Sequence, residues 1–366
     1  MKVDHVHFYV ENAVQWRNWF VDKMGFQSLV STTNYHTCTE IVKHGVVIFV
    51  LSSPLAKISP VAQFLNFHPP GVADIAFEVN NLSLAMDRVK SGGAKIIGSL
   101  QQKQFEEGWI RWIKISSFGD MCHTLIERHG IIPETLPLWE GKCTRLPTQT
   151  IHTTELNYRA IDHLVLNVAA GDLAPTINWY EKILGFQPQQ SFEIKTNRSG
   201  LYSQVMVHPD SGVKLPINEP TSANSQIQEF LNLNQGAGIQ HIALETNQIT
   251  KITTQLRQTG VSFLSVPQTY YQQIKPRLAK LNLSTAEWEM LQQQEILIDN
   301  WQNSNQEWNK NMPLLLQIFT QPIFKEATFF FELIERRWQA QGFGEGNFQA
   351  LFEAIELEQA KRGSLS

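Results

Sequence analysis

Apolar and polar residues alternate through VDHVHFYV (Val3–Val10), and the same two-residue period returns in IDHLVLNV (Ile161–Val168), as half-buried strands require. Each segment leads into a stretch of helical spacing that closes on a shared phrase, WFVDKMGFQ at Trp19–Gln27 and WYEKILGFQ at Trp179–Gln187. The Gly in each phrase falls where a helix ends in a left-handed residue. Further on, GVADIAFEV (Gly71–Val79) is echoed by GIQHIALET (Gly238–Thr246), and Gly93 and Gly260 each follow 19 residues after the matched Asp74 and His241. That spacing suits a strand, a helix and a glycine-terminated turn. HTLIER (His123–Arg128) then matches FELIER (Phe331–Arg336). The pattern predicts a duplicated chain of the α+β class, each half holding two βαβββ units.

The halves are expected at 1–130 and 161–366. Between them, 131–160 reads as a linker, because IIPETLPLWEGKCTRLPTQT carries three prolines and little periodicity. The second half is longer because a Gln- and Asn-rich insert, 268–312, precedes its last strand pair; pieces such as AEWEMLQQQEIL read as helical. A last helix is expected over about 347–362, where Phe348, Leu351, Phe352 and Ile355 recur at helical spacing. With the flexible GFGEG before it, this helix suits either a lid or a terminal helix packed on its domain. A phosphate loop is not indicated, since GFGEGNF follows no clear strand and lacks GK[ST].

Length and charge narrow the class. At 366 residues the chain exceeds what one core usually supports. A net charge of −4 gives no electrostatic reason to expect nucleic acid or an anionic membrane as partner. The densest apolar run, VVIFVL (Val46–Leu51), is too short to span a bilayer, and Asp4 and His5 interrupt the start where a signal peptide needs apolar residues. Three cysteines without CxxC spacing suit a reducing compartment. A soluble, cytoplasmic protein is the expectation.

Aligning the halves isolates three positions. The second half carries His163, His241 and Glu332 where the first carries His5, Asp74 and Thr124. A histidine on a half-apolar strand is more often a packed core residue than a ligand, so no single one is informative. Two imidazoles and one carboxylate from three strands, however, form the facial set suited to non-haem Fe(II). Thr124 offers no carboxylate, and the first half is expected to be metal-free.

The chain resembles the vicinal-oxygen-chelate (glyoxalase-like) superfamily, whose paired βαβββ units form half-open barrels around a metal. Within it, the second half resembles the 4-hydroxyphenylpyruvate dioxygenase family. The motifs that carry this are SQIQEFL (Ser225–Leu231), GAGIQHIAL (Gly236–Leu244), VPQTYYQ (Val266–Gln272), LLLQIFTQP (Leu314–Pro322), FFFELIERR (Phe329–Arg337) and GFGEGNFQALFEAIE (Gly342–Glu356). The first half shares only the generic repeat pattern. The resemblance implies one Fe(II) per chain on His163, His241 and Glu332, with O2 as co-substrate. It assigns catalytic amides and a hydroxyl to Gln226, Gln317, Asn218 and Ser203. It places Gln240, Pro216, Phe319, Phe343, Phe348 and Asn347 against the substrate. Strand alternation puts Pro216 and Asn218 on one face, and Gln317 and Phe319 on one face. Gln240 fits poorly, since a neighbour of His241 points the other way on a regular strand.

The implied reaction converts 4-hydroxyphenylpyruvate and O2 to homogentisate and CO2, in tyrosine catabolism or in prenylquinone and tocopherol synthesis. The nearest alternative is a 4-hydroxymandelate synthase, with the same substrate hydroxylated at the benzylic carbon; Phe319 stands against it, because mandelate-forming relatives resemble this motif with a smaller aliphatic residue there. A metal-free binding protein of the same fold is a third reading. The family forms homo-oligomers, which leaves dimer and tetramer open.

Overall fold

The computed structural model describes residues 1–132, 142–145, 156–196, 199–278, 283–300 and 313–363. The two alternating segments form the central strands Lys2–Tyr9 and Tyr158–Asn167. Against their antiparallel neighbours Gly71–Glu78 and Gly238–Thr246, both strands carry bulges at matching places. Asp4 and Ala73 are passed over in the first half, Asp162 and Gln240 in the second. A bulge sets two residues against one and re-aims side chains, so these four positions escape strict alternation.

Two mixed sheets result. The first runs Ile96–Gln104, Gly108–Ser116, Cys122–Gly130, Gly71–Glu78, Lys2–Tyr9, Val47–Pro54, Thr37–His44, Gln27–Thr33 and Lys142–Arg145. The second, in the same sense, runs Leu297–Asp299, Leu314–Phe319, Phe330–Arg337, Gly238–Thr246, Tyr158–Asn167, Lys214–Pro220, Gly200–Val207 and Gln187–Lys195. Strand for strand the orders coincide, and each half is a pair of βαβββ units curled into a half-barrel. The ninth strand of the first sheet, Lys142–Arg145, comes from the segment read as a linker and pairs with Gln27–Thr33; 133–141 and 146–155 lie outside the described residues. The insert contributes helices Gln268–Leu278 and Thr285–Gln293 and the edge strand Leu297–Asp299, while 301–312 lie outside the described residues.

Local signals set the helix ends. Ala13–Met24 starts where the Asn12 side chain accepts from the Gln15 N–H, and it stops at Gly25, φ 70°. In the second half Leu173–Trp179 runs on into one π-helical turn, Tyr180–Leu184, before Gly185, φ 76°. From that turn the Tyr180 hydroxyl lies 2.9 Å from His123 Nε2 of the first half. Among the described residues no helix is long and apolar enough to cross a membrane.

One apolar core spans both halves, and FFFELIER shows how. Phe329 and Phe331 point to the first half, with ring centroids 5.1 Å from Phe8 and 5.7 Å from Phe49. Phe330 and Glu332, one residue out of phase, face the hollow of the second sheet. Burying each of those phenylalanines contributes roughly 1.5–3 kcal/mol. The first half thus acts as a buttress behind the strand that carries Glu332.

Candidate metal centre and substrate cavity

Three neighbouring strands bring His163, His241 and Glu332 together. His163 pairs across to Ala243, and Ala243 pairs across to Glu332, while His241 lies two residues before Ala243 on the same face. The small Ala243 leaves room for the longer side chains to converge above it. His163 Nε2 lies 3.2 Å and His241 Nε2 3.6 Å from Glu332 Oε2, and the three groups' ligand atoms all lie within 4.8 Å of one another. All three residues are buried. Burial alone would push the Glu332 carboxyl up, but the two imidazoles outweigh it and hold its pKa at about 2. Burial lowers His241, keeping that ring neutral, whereas for His163 the neighbouring Glu332 and Asp162 carboxylates outweigh burial and raise it. One buried anion with two imidazole nitrogens turned toward it is the donor set of a divalent transition-metal site. The residues fit the group.

The rings are held differently. His163 Nδ1 bonds Asp162 Oδ1 at 2.8 Å. His241 Nδ1 is buried with no hydrogen-bond partner, and its ring stacks on Phe330, centroids 4.8 Å apart and planes 18° from parallel.

Every residue singled out for the pocket lines one cavity above this cluster, largely apolar with a few convergent polar groups, as small-molecule sites are. Ser203 and Asn218 face each other across adjacent strands, and Pro216 lies on the same face as Asn218. Gln240 reaches the cavity beside His241 because the bulge leaves it unpaired, which resolves the conflict with strict alternation. Gln226 opens the helix Gln226–Asn234, and its Oε1 is buried without a partner, an acceptor that a ligand hydroxyl would satisfy. Phe319 lies 6.4 Å from the His241 ring, and Phe343 5.4 Å from the His163 ring. The helix Phe348–Arg362 turns Phe348, Leu351, Phe352 and Ile355 into the cavity. It is fastened by buried Glu356, which accepts from Ser199 Oγ at 2.6 Å and Thr196 Oγ1 at 2.7 Å.

Gln317 is engaged differently from the other amides. Its Nε2 donates to Glu332 Oε1 at 2.9 Å and to the Phe343 carbonyl at 3.0 Å, and its Oε1 accepts from Asn347 Nδ2 at 2.9 Å. Asn347 in turn accepts from the Tyr270 hydroxyl at 2.7 Å. In this arrangement Gln317 ties Glu332 to the C-terminal segment rather than presenting a free donor. Gly344 makes the approach possible: its φ is +80°, and a Cβ there would fall 1.8 Å from Gln317 Oε1. Gly344→Ala is therefore expected to displace Gln317 and Phe343 and to lower kcat/KM by roughly 100-fold, measured by steady-state oxygen uptake on protein whose metal content is verified.

The first half shows what the same framework does without the ligands. His5 pairs with Ala76 and Ala76 with Thr124, the register of His163, Ala243 and Glu332. Lys114 pairs with Thr124 as Phe319 pairs with Glu332. Asp74, at the position of His241, accepts from Thr124 N at 2.9 Å and Thr124 Oγ1 at 2.6 Å, and Lys114 Nζ lies 3.0 Å away. An ammonium ion on a side chain neutralises the buried carboxylate. Thr124→Ala is expected to leave turnover within about twofold of the parent while lowering unfolding stability by roughly 1–3 kcal/mol, the cost of a buried hydrogen bond to a charged group; kinetics and chemical denaturation read the two effects separately.

Residues 160–273 match the model of the Glyoxalase/Bleomycin resistance protein/Dioxygenase superfamily. The chain is 36% identical to 4-hydroxyphenylpyruvate dioxygenase of Coccidioides posadasii, over 99% of this chain and 94% of that one. It is 37% identical to the Dictyostelium discoideum enzyme of the same name, over 99% of both. The chain belongs to the 4-hydroxyphenylpyruvate dioxygenase family. Among solved structures, a triple mutant of 4-hydroxymandelate synthase from Streptomyces coelicolor superposes with a TM-score of 0.82 at 26% identity over 98% of both chains.

Several residues at this family site escape sequence reasoning. Phe330 was findable, since it stands two places before Glu332 on the same strand face. Asp162 and Arg336 were also signalled, because Asp-His and Glu-Arg recur in both halves. Tyr270 and Glu356 carry no local signal; their roles depend on segments brought together from far along the chain.

Proposed function

We propose that the chain is an Fe(II)-dependent dioxygenase converting 4-hydroxyphenylpyruvate and O2 to homogentisate and CO2. The observation that carries this is the His163, His241 and Glu332 cluster at the floor of a cavity walled by amides and phenylalanines, in a chain of this family. His163 Nε2, His241 Nε2 and Glu332 Oε2 would hold the ion. When bound, Fe(II) supplies the oxygen activation that no side chain offers.

The chain's own residues bind and orient. Glu332 stays anionic, and Gln317 holds its second oxygen in place. The buried Gln226 carbonyl oxygen accepts from the substrate's phenol hydroxyl, and Ser203, Asn218 and Gln240 offer further neutral donors and acceptors without adding charge. Phe319, Phe343 and Phe348 enclose the ring and exclude water. The C-terminal helix serves as the lid.

A second reading, 4-hydroxymandelate synthase, has the weaker support of the superposition, at 26% identity, on a mutant of that enzyme. Anaerobic titration with Fe(II), admission of O2 with 4-hydroxyphenylpyruvate, and product analysis decide between them. Homogentisate is the expected product. 4-Hydroxymandelate would replace the first reading with the second, and absence of both Fe(II) uptake and oxygen consumption would sink both.

Free thiols at Cys38 and Cys122 suit a reducing, cytoplasmic setting. Exposed Tyr35, Leu55, Ile58 and Phe67 on the first half provide apolar surface for a homo-oligomer, and sedimentation would read the copy number.

A further inference from the structure

On a regular strand, successive side chains point to opposite faces. The bulge at Asp162 breaks this rule, and Asp162 Oδ1 meets Nδ1 of its own neighbour His163 at 2.8 Å. The fork of Arg336 grips that carboxylate, Nε to Oδ2 at 2.7 Å and Nη2 to Oδ1 at 2.8 Å, with Lys214 Nζ 3.3 Å from Oδ2. Two planar groups matched in this way hold orientation as well as charge. The remaining nitrogen, Arg336 Nη1, donates to the carbonyls of Ala340 at 3.2 Å and Gly342 at 2.9 Å. Those carbonyls belong to the turn that delivers Phe343 to the His163 ring.

We propose that Asp162 and Arg336 are positioning residues of the metal centre. Asp162 fixes which nitrogen of His163 carries the proton, and Arg336 fixes Asp162 while anchoring the turn that places Phe343. A proton held on Nδ1 by a carboxylate leaves the Nε2 lone pair free and makes it a stronger donor. His241 has no such handle, since its Nδ1 is unpartnered and that side of the ring has only the stacking on Phe330 beside it. The inference rests on reading His163, His241 and Glu332 as ligands.

A purely structural role is the competing explanation, and the first half supplies the control for it. There Asp4 Oδ1 lies 2.6 Å from His5 Nδ1, and Arg128 bonds Asp4 as well as Glu78. The trio is the same, but Thr124 stands in place of the carboxylate ligand. If these trios only join strands, Asp4→Asn and Asp162→Asn behave alike.

The test is an anaerobic titration of metal-free full-length protein with Co(II), read by its visible absorption, beside thermal unfolding of the same metal-free samples. Asp162→Asn is expected to weaken Co(II) binding by roughly 10–100-fold, the usual effect of removing such a partner, whereas Asp4→Asn leaves it within about twofold. Arg336→Met should weaken Co(II) binding likewise and, at saturating Fe(II), raise KM for 4-hydroxyphenylpyruvate more than Asp162→Asn does, because only Arg336 also holds the Phe343 turn. A Co(II) affinity for Asp162→Asn within twofold of the parent overturns the proposal, as does an equal loss in Asp4→Asn. Should Asp162→Asn not fold, Arg336→Lys carries the same prediction: it keeps the charge but loses the fork, and an unchanged affinity there is equally fatal. Glu332→Ala separates the two layers. If it binds Co(II) as tightly as the parent, the ligand reading fails and the positioning role falls with it; a large Glu332 effect beside a silent Asp162→Asn overturns positioning alone.

Discussion

Glu332→Ala is expected to abolish turnover and metal retention while leaving a folded chain. Among the described residues Glu332 is the only anion whose oxygen faces both imidazole nitrogens, and it is 1% exposed. Without it, two neutral donors remain, too few to hold a divalent ion against water. A fall in kcat of at least ~1000-fold is anticipated, roughly 4 kcal/mol of barrier. The fold survives because the neighbours Phe331 and Leu333 keep their buried contacts on the opposite face of the strand. Gln317 loses one acceptor but keeps the Phe343 carbonyl, so the stability cost is about 1–2 kcal/mol. Metal analysis, product formation and denaturant unfolding check the three parts. Bound metal together with turnover within tenfold of the parent would show that the carboxylate is not a ligand.

Lys114→Met is expected to have the opposite profile, a large loss of stability with little effect on turnover measured well below the unfolding temperature. Asp74 is buried, and three partners compensate its charge: Lys114 Nζ and the Thr124 N–H and hydroxyl. Burial alone would raise the Asp74 pKa; Lys114 and Thr124 together bring it down to about 2 from an ordinary 3.8. Removing one partner of a buried ion pair costs about 3–5 kcal/mol. Because the Lys114 side chain is 32% exposed, solvent screening reduces this to about 2–4 kcal/mol.

The pH dependence follows in sign. In the parent the folded pKa lies below the unfolded one, so Asp74 stabilises fully above pH 3.8 and the contribution fades as pH falls toward 2. In Lys114→Met the folded pKa moves up, and the variant regains stability as acid protonates Asp74. The two unfolding curves therefore converge at low pH. Lys114→Met/Asp74→Asn should recover most of the loss at neutral pH, since the uncompensated charge is gone. A single variant as stable as the parent at pH 7 would show that Asp74 does not depend on the ammonium.

Much of this molecule is legible without coordinates because its signals are local. A two-residue period, a glycine after a helix and phrases repeated across 366 residues establish the duplication and the strands. They also separate the half with His163, His241 and Glu332 from the half with His5, Asp74 and Thr124. Tertiary structure decides what depends on register and on distant segments. Sequence periodicity contains no sign of the bulges that turn Asp162 toward His163 and Gln240 into the cavity, since a bulge exists only relative to the partner strand. Nor does it show that Gln317 is already committed to Glu332, that Phe330 stacks on His241, or that the Lys114 ammonium neutralises Asp74 in the first half. Residue types along the chain supply the chemistry available to each half. The order of strands in the sheet, which brings Asp162 within hydrogen-bond reach of Arg336 from 174 positions away, determines which of those groups meet.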